Sequence, residues 1–276
     1  MKTLYISDLD GTLLDRNARL SERSAAVIGE LIDKGLLFTI ATARSLSSLE
    51  ILKKLDIRLP CVQLNGVLTY DFSIGEYTDC IPILPEDARS VIGVLRKHDR
   101  MSFVYKADPQ YGIHVEFERL TNDVEREFFE VRKDKDYKSF EQIGEITVSD
   151  NDKVIYFTMV DRREKLLPIH EELETTDGIR STLYSDNYSD MYFLEVFSSR
   201  ATKAAGMKKI KEKLGADRVV AFGDNLNDIE MLKCADLGIA VGDAVDQTKQ
   251  AADLVIGNSY EDGVAMYLAK VFNGDQ

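Results

Sequence analysis

The chain reads as an α/β protein whose parallel-sheet domain is interrupted by an inserted α+β segment. Three observations carry this. Short apolar runs alternate with helix-period stretches over residues 1–80 and 198–276, the pattern of βαβ units with right-handed crossovers. Two of those runs end in aspartates, YISDLDG at Tyr5 to Gly11 and VVAFGDNLND at Val219 to Asp228. The stretch between is richer in paired strand patterns, which implies an antiparallel sheet with helices on one face. Domain limits follow: 1–81 with 198–276 for the parallel part, 82–197 for the insertion.

Residues 3–7 form a buried strand, being apolar without alternation. Ser21 is placed to cap a helix carrying Val27, Ile28, Leu31 and Ile32, which Gly35 ends. A strand over 36–41, a helix over 45–55 and a short strand over 61–64 follow. In the insertion, strands are expected over 102–106, 112–117, 153–160, 179–185 and 191–196, with helices over 85–97, 121–131 and 162–174. The last part carries a helix over 202–214 closed by Gly215, strands over 218–222, 237–241 and 253–256, and a helix over 228–234.

Composition bounds the partners. The 276 residues are 44% hydrophobic and 30% charged, enough for a sizeable core. A net charge of −13 argues against a nucleic-acid or anionic-membrane partner, while a small anionic substrate can still meet a locally positive site. Cys61, Cys80 and Cys234 form neither a CxxC pair nor a disulfide framework, which points to a reducing compartment. With no membrane-length apolar run and no signal-peptide pattern, a cytoplasmic protein is expected.

In a strand, residues two apart point the same way, so Asp8 and Asp10 are expected together at the carboxyl end of the first strand, where open α/β sheets bind ligands. Two carboxylates there call for a cation, and Mg²⁺ suits few oxygen ligands. A plain turn would explain them separately. An EF-hand loop fails, since Leu13 and Arg19 stand where it needs Gly and Glu. Asp224 and Asp228 repeat the layout at the second run, whereas Asn225 reads as a helix cap. Thr42, at the end of LFTIATAR, offers a hydroxyl to a phosphate oxygen. Lys203 opens a helix, which the helix dipole disfavours.

DLDGT at 8–12, ATAR at 41–44, Lys203 and GDNLND at 223–228, in that order, resemble the four motifs of the haloacid dehalogenase (HAD) superfamily of phosphohydrolases. QLNGVL, with Asn65 and Gly66, resembles an element of its Cof-type subgroup. The resemblance implies a Rossmann-like parallel-sheet core with an inserted α+β cap of type IIB. It implies a Mg²⁺-dependent phosphatase of small phosphorylated metabolites, sugar phosphates foremost. Asp8 is then the nucleophile that forms an aspartyl-phosphate and Asp10 the general acid and base. Thr42, Ala43, Arg44, Lys203 and Asn227 hold the phosphate or substrate. Asp8, the main-chain carbonyl of Asp10, and Asp224 ligate Mg²⁺, with Asp228 supporting that shell and orienting Lys203. Ala43 and Ala204 stand where the family commonly has glycine. His114, Tyr188 and Asp190 are candidate cap contacts to substrate. The expected partner is a small phosphorylated metabolite, with the chain a monomer or homodimer. Two other readings use the same scaffold: a phosphomannomutase-like phosphotransferase and a non-catalytic phosphometabolite-binding protein.

Overall fold

The computed structural model describes residues 1–46, 49–108, 112–134, 138–185 and 190–272. In chain order these residues form β1 (Thr3–Ser7), α1 (Glu22–Asp33), β2 (Leu37–Ile40), β3 (Pro60–Gln63), β4 (Leu68–Asp71), β5 (Glu76–Cys80) and α2 (Pro85–Lys97). Then come β6 (Phe103–Asp108), β7 (Gly112–Phe117), α3 (Asp123–Arg132), β8 (Lys138–Gln142), β9 (Val154–Asp161), α4 (Arg163–Leu173), β10 (Ile179–Ser185) and β11 (Tyr192–Ser198). The chain closes with α5 (Lys203–Leu214), β12 (Arg218–Gly223), α6 (Ile229–Cys234), β13 (Leu237–Ala240), α7 (Asp246–Ala251), β14 (Leu254–Val255) and α8 (Gly263–Phe272). Two compact units result, Met1–Asp79 with Thr202–Gln276, and Cys80–Ala201.

The first unit is built on a parallel sheet in the order β14-β13-β12-β1-β2. Leu4 and Ile6 of β1 join Val219 and Ala221 of β12 in a cluster with Met207 and Ile210 of α5 and Met231 and Leu232 of α6. Tyr5, Val220 and Phe222 face the other way, onto Ile28 and Leu31 of α1 and Val264 and Leu268 of α8. Both faces of β1 are therefore buried, which is why its sequence is a continuous apolar run. From β1 the chain steps to β2 on one side, while β12, β13 and β14 run off on the other. The carboxyl ends of β1 and β12 are the switch point where such sheets bind ligands.

Several elements differ from expectation, each for a local reason. Where a helix is expected over 45–55, the described residues show a 3₁₀ helix at Glu50–Leu55. Leu49, Leu52 and Leu55 are all buried, and a spacing of three matches the tighter 3₁₀ turn. The strand expected at 61–64 is β3, which pairs antiparallel with β4 in a small sheet, β3-β4-β5, and meets β2 through a parallel Ala41–Val62 bridge. β4, β5, β8, α7 and α8 are additional to the elements expected from the sequence.

The second unit is a six-stranded sheet in the order β10-β11-β9-β6-β7-β8, antiparallel except for the parallel β7–β8 pair. Val104, Phe157 and Leu194 pack with Val91 and Leu95 of α2 and Ile169 and Leu173 of α4. Phe103 neighbours Val104 in β6 and so faces the opposite side, where it meets Phe117, Phe128 of α3 and Phe140. Asn122 and Glu125 form a capping box that starts α3. Among the described residues no helix is long and apolar enough to cross a membrane.

The three cysteines are free and sit in different surroundings: Cys61 buried, Cys80 intermediate, Cys234 exposed. Burial pushes the Cys61 thiol up to about 12, so it holds almost no thiolate near neutral pH. Iodoacetamide at pH 8 should therefore label Cys234 first and leave Cys61 unmodified until denaturant is added, as peptide mass spectrometry can follow.

Candidate active site

Strand register sets the site. Ser7 lies level with Phe222 on one side and Ile40 on the other. Just beyond, Asp8 N–H donates to the Phe222 carbonyl and Ala41 N–H to the Ser7 carbonyl, both at 2.9 Å. Asp8, Asp224 and Thr42 are thus brought to one edge of the sheet by three adjacent strands.

Lys203 is the first residue of α5, behind the Thr202 cap whose hydroxyl accepts from Ala205 N–H at 3.1 Å. Its side chain turns inward and is 1% exposed. The ammonium donates to Asp8 Oδ1 at 2.5 Å and to Asp228 Oδ1 at 2.7 Å. The other oxygen of Asp228, Oδ2, accepts the main-chain N–H groups of Asp224 and Asn225, each at 3.0 Å. Asp228 thereby pins the turn that presents Asp224, and Asn225 is the cap expected of it. Thr12 donates its hydroxyl to Asp224 Oδ1 at 2.8 Å. Gly11, at φ +79°, lets the loop pass so close that a Cβ there would overlap the Asp224 carboxylate.

Asp8, Asp224 and Asp228 each place one carboxylate oxygen within 4.8 Å of the others. Burial, reinforced by the charge of Asp228, holds the Asp8 carboxyl well above the usual carboxylate range, against the pull of Lys203. Burial likewise raises Asp224, against its hydrogen bond from Thr12. Burial alone would lower Lys203, but Asp8 and Asp228 hold its proton above the ordinary lysine range. Three carboxylates against one ammonium leave an excess of negative charge, which a cation would relieve. The donors are all oxygens, as a hard cation requires. An octahedral ion with ligands at about 2.1 Å separates them by about 3 to 4.2 Å, and these three oxygens, within 4.8 Å of one another, lie near that spacing.

Asp10 is not part of this group. Strand geometry ends at Ser7, and Leu13 and Leu14 N–H both turn back to the Leu9 carbonyl. The Asp10 carboxylate pairs with Arg44. Thr42 is fully buried, and its hydroxyl oxygen accepts Arg44 N–H at 3.1 Å, leaving its hydrogen to donate. Ala43 is exposed. Asn227 is exposed and donates to Asn65 Oδ1 at 3.0 Å. Gly66, at φ +104°, lies against the Thr202 main chain, where a Cβ would collide. In the second unit, His114 is engaged by Ser139 and Glu141 of β8, at 2.8 and 3.1 Å, a bonding role within the sheet. Asp190 is exposed, and Tyr188 lies outside the described residues. Thr12, which holds Asp224, is a site residue not expected from the sequence, although it stands within DLDGT.

The family model for haloacid dehalogenase-like hydrolases matches residues 5–268. The chain belongs to that family. Two 5-amino-6-(5-phospho-D-ribitylamino)uracil phosphatases of Bacillus subtilis are similar over nearly their whole length. One is 28% identical over 98% of this chain and 97% of its own, the other 30% over 95% and 92%. A solved sugar phosphatase of HAD subclass IIB shares the fold, with a TM-score of 0.69 and 23% identity over 99% of each chain. The parallel-sheet core with an added antiparallel unit is the HAD core with its cap. The chain is a phosphatase.

Lys203→Met should leave two buried carboxylates without their cation and cost about 3–5 kcal/mol in chelator at pH 7. Asp8 and Asp224 have raised affinities for protons, so acidification neutralises them in the folded state. The loss in unfolding temperature should be larger at pH 8 than at pH 5.5. Gly66→Ala should displace Thr202 and the start of α5, lowering both stability and turnover, with stability falling by about 1–3 kcal/mol in urea unfolding.

Proposed function

We propose that the protein hydrolyses small phosphorylated metabolites, sugar phosphates foremost, through a covalent aspartyl-phosphate, with Mg²⁺ as cofactor. The observation that carries the reading is Lys203 held between Asp8 and Asp228, with Asp224 within reach of both acids. Asp8 attacks phosphorus, the ester P–O bond breaks, and Asp10 gives its proton to the departing oxygen. Asp10 then takes a proton from water, which attacks phosphorus and frees Asp8 as phosphate leaves. A carboxylate approaching a phosphate meets like charge, and Lys203 reduces that repulsion. Thr42, the Ala43 main chain, Arg44 and Asn227 hold the phosphoryl oxygens, since phosphoryl transfer is chiefly positioning and charge stabilisation. Asp8, Asp224 and the main-chain carbonyl of Asp10 would hold Mg²⁺, with Asp228 in support, and the ion supplies Lewis-acid charge neutralisation when bound. The two Bacillus subtilis relatives are named for a phosphorylated ribityl compound, which supports a polyol or sugar ester as the substrate class.

Phosphate release from a panel of phosphorylated metabolites tests the reading, and sugar and sugar-alcohol phosphates should lead it. Asp8→Asn should fall below about a thousandth of wild-type turnover while keeping its unfolding temperature within a few degrees. Wild-type turnover in a folded variant would sink the nucleophile assignment. EDTA should abolish turnover and added Mg²⁺ restore it; undiminished turnover in chelator would remove the metal from the mechanism.

A further inference from the structure

Arg44 makes a contact that the steps above do not use. Its Nε donates to Asp10 Oδ2 at 2.8 Å and its Nη2 to Asp10 Oδ1 at 2.5 Å, so one fork takes both oxygens of the acid/base residue. The carboxylate is thereby aimed at Arg44, while Asp8, Asp224 and Asp228 gather around Lys203 without it. The Arg44 main chain is fixed: its N–H donates to Thr42 Oγ1 at 3.1 Å, and its carbonyl accepts Leu64 N–H at 3.2 Å. The Arg44–Asp10 pair is partly open to water. Side-chain exposure is 22% for Arg44 and 48% for Asp10, so water screens the pair and parting them costs little. A guanidinium fork matches two phosphoryl oxygens as well as it matches a carboxylate.

We propose that Arg44 is an exchange latch on Asp10. In the ligand-free protein the fork restrains Asp10; the phosphoryl group of an entering ester competes for the same two N–H donors. Arg44 transfers to the phosphoryl oxygens, and Asp10 is released to turn towards the leaving oxygen. Asp10 is thus freed by the arrival of substrate. The inference rests on the proposed roles of Asp8, Asp10 and Arg44, and adds to the phosphoryl-binding role of Arg44 a restraint on Asp10 before substrate enters.

The test is a double-mutant cycle in binding, which needs no turnover. Inorganic phosphate is titrated calorimetrically, with Mg²⁺ present, into wild type, Asp10→Asn, Arg44→Gln and the double variant, each first checked for an unchanged unfolding temperature. Asparagine holds the fork weakly, so Asp10→Asn should bind phosphate about three- to fivefold tighter than wild type. Arg44→Gln should bind more weakly, and adding Asp10→Asn to it should bring no further tightening. An equal gain in both backgrounds would reduce the effect to removal of a negative charge and overturn the latch, as would no gain at all. In turnover, Arg44→Gln should lose kcat/KM chiefly through KM. A loss carried by kcat would mean that the fork orients Asp10 in the reacting complex, and would overturn the exchange. Folded wild-type protein that binds no phosphate would overturn the proposed site itself, and the latch with it.

Discussion

The buried ammonium of Lys203 is the interaction on which the site depends. It joins the end of β1, the start of α5 and the turn after β12. These segments are far apart in sequence and adjacent only because β1 and β12 pair in parallel. A lysine with 1% exposure has given up its hydration, and two carboxylates at hydrogen-bond distance are the compensation. Removing one partner would strand the others, so the charges constrain one another as a set. Asp228 is the hinge of that set, since its second oxygen holds the main chain that carries Asp224.

The loop after β1 shows how little space the arrangement leaves. Gly11 passes against Asp224, and Gly66 passes against the main chain just before Lys203. Both glycines have positive φ, so each combines a backbone shape that side chains resist with a space that no side chain can enter. Thr12 fastens the same loop to Asp224 through its hydroxyl. The carboxylates are held by the backbone of neighbouring segments as much as by their own rotamers, which is how a scaffold keeps like charges close.

The parallel core was legible because its signals are local. Buried strands are unbroken apolar runs, helices carry caps, and the aspartates of 8–10 and 224–228 end two of the strands. The small sheet and the edge strand β8 were harder to see. β5 reads EYTDC, with polar residues in both registers, and β8 reads KSFEQ; neither carries the alternation that marks a half-buried strand. Leu49, Leu52 and Leu55 suit either a helix or a 3₁₀ turn on pattern alone. The position of Lys203 was legible, but its burial was not, since only the pairing of β1 with β12 turns a helix-start lysine inward.

The second unit enters the chain between Asp79 and Thr202, so Lys203 follows directly on its return. During synthesis this has a temporal consequence. Asp8 leaves the ribosome first, and its cation follows 195 residues later, after all of Cys80–Ala201 has been made. At about 5–20 residues per second the nascent chain carries its acidic strand end for on the order of ten seconds or more before Lys203 exists to balance it. The central strand β1 must also wait for β12. The inserted unit, continuous in sequence, can close on itself first, and the first unit is completed around it afterwards. A site whose nucleophile precedes the inserted unit and whose cation follows it is therefore completed only after that unit has been made.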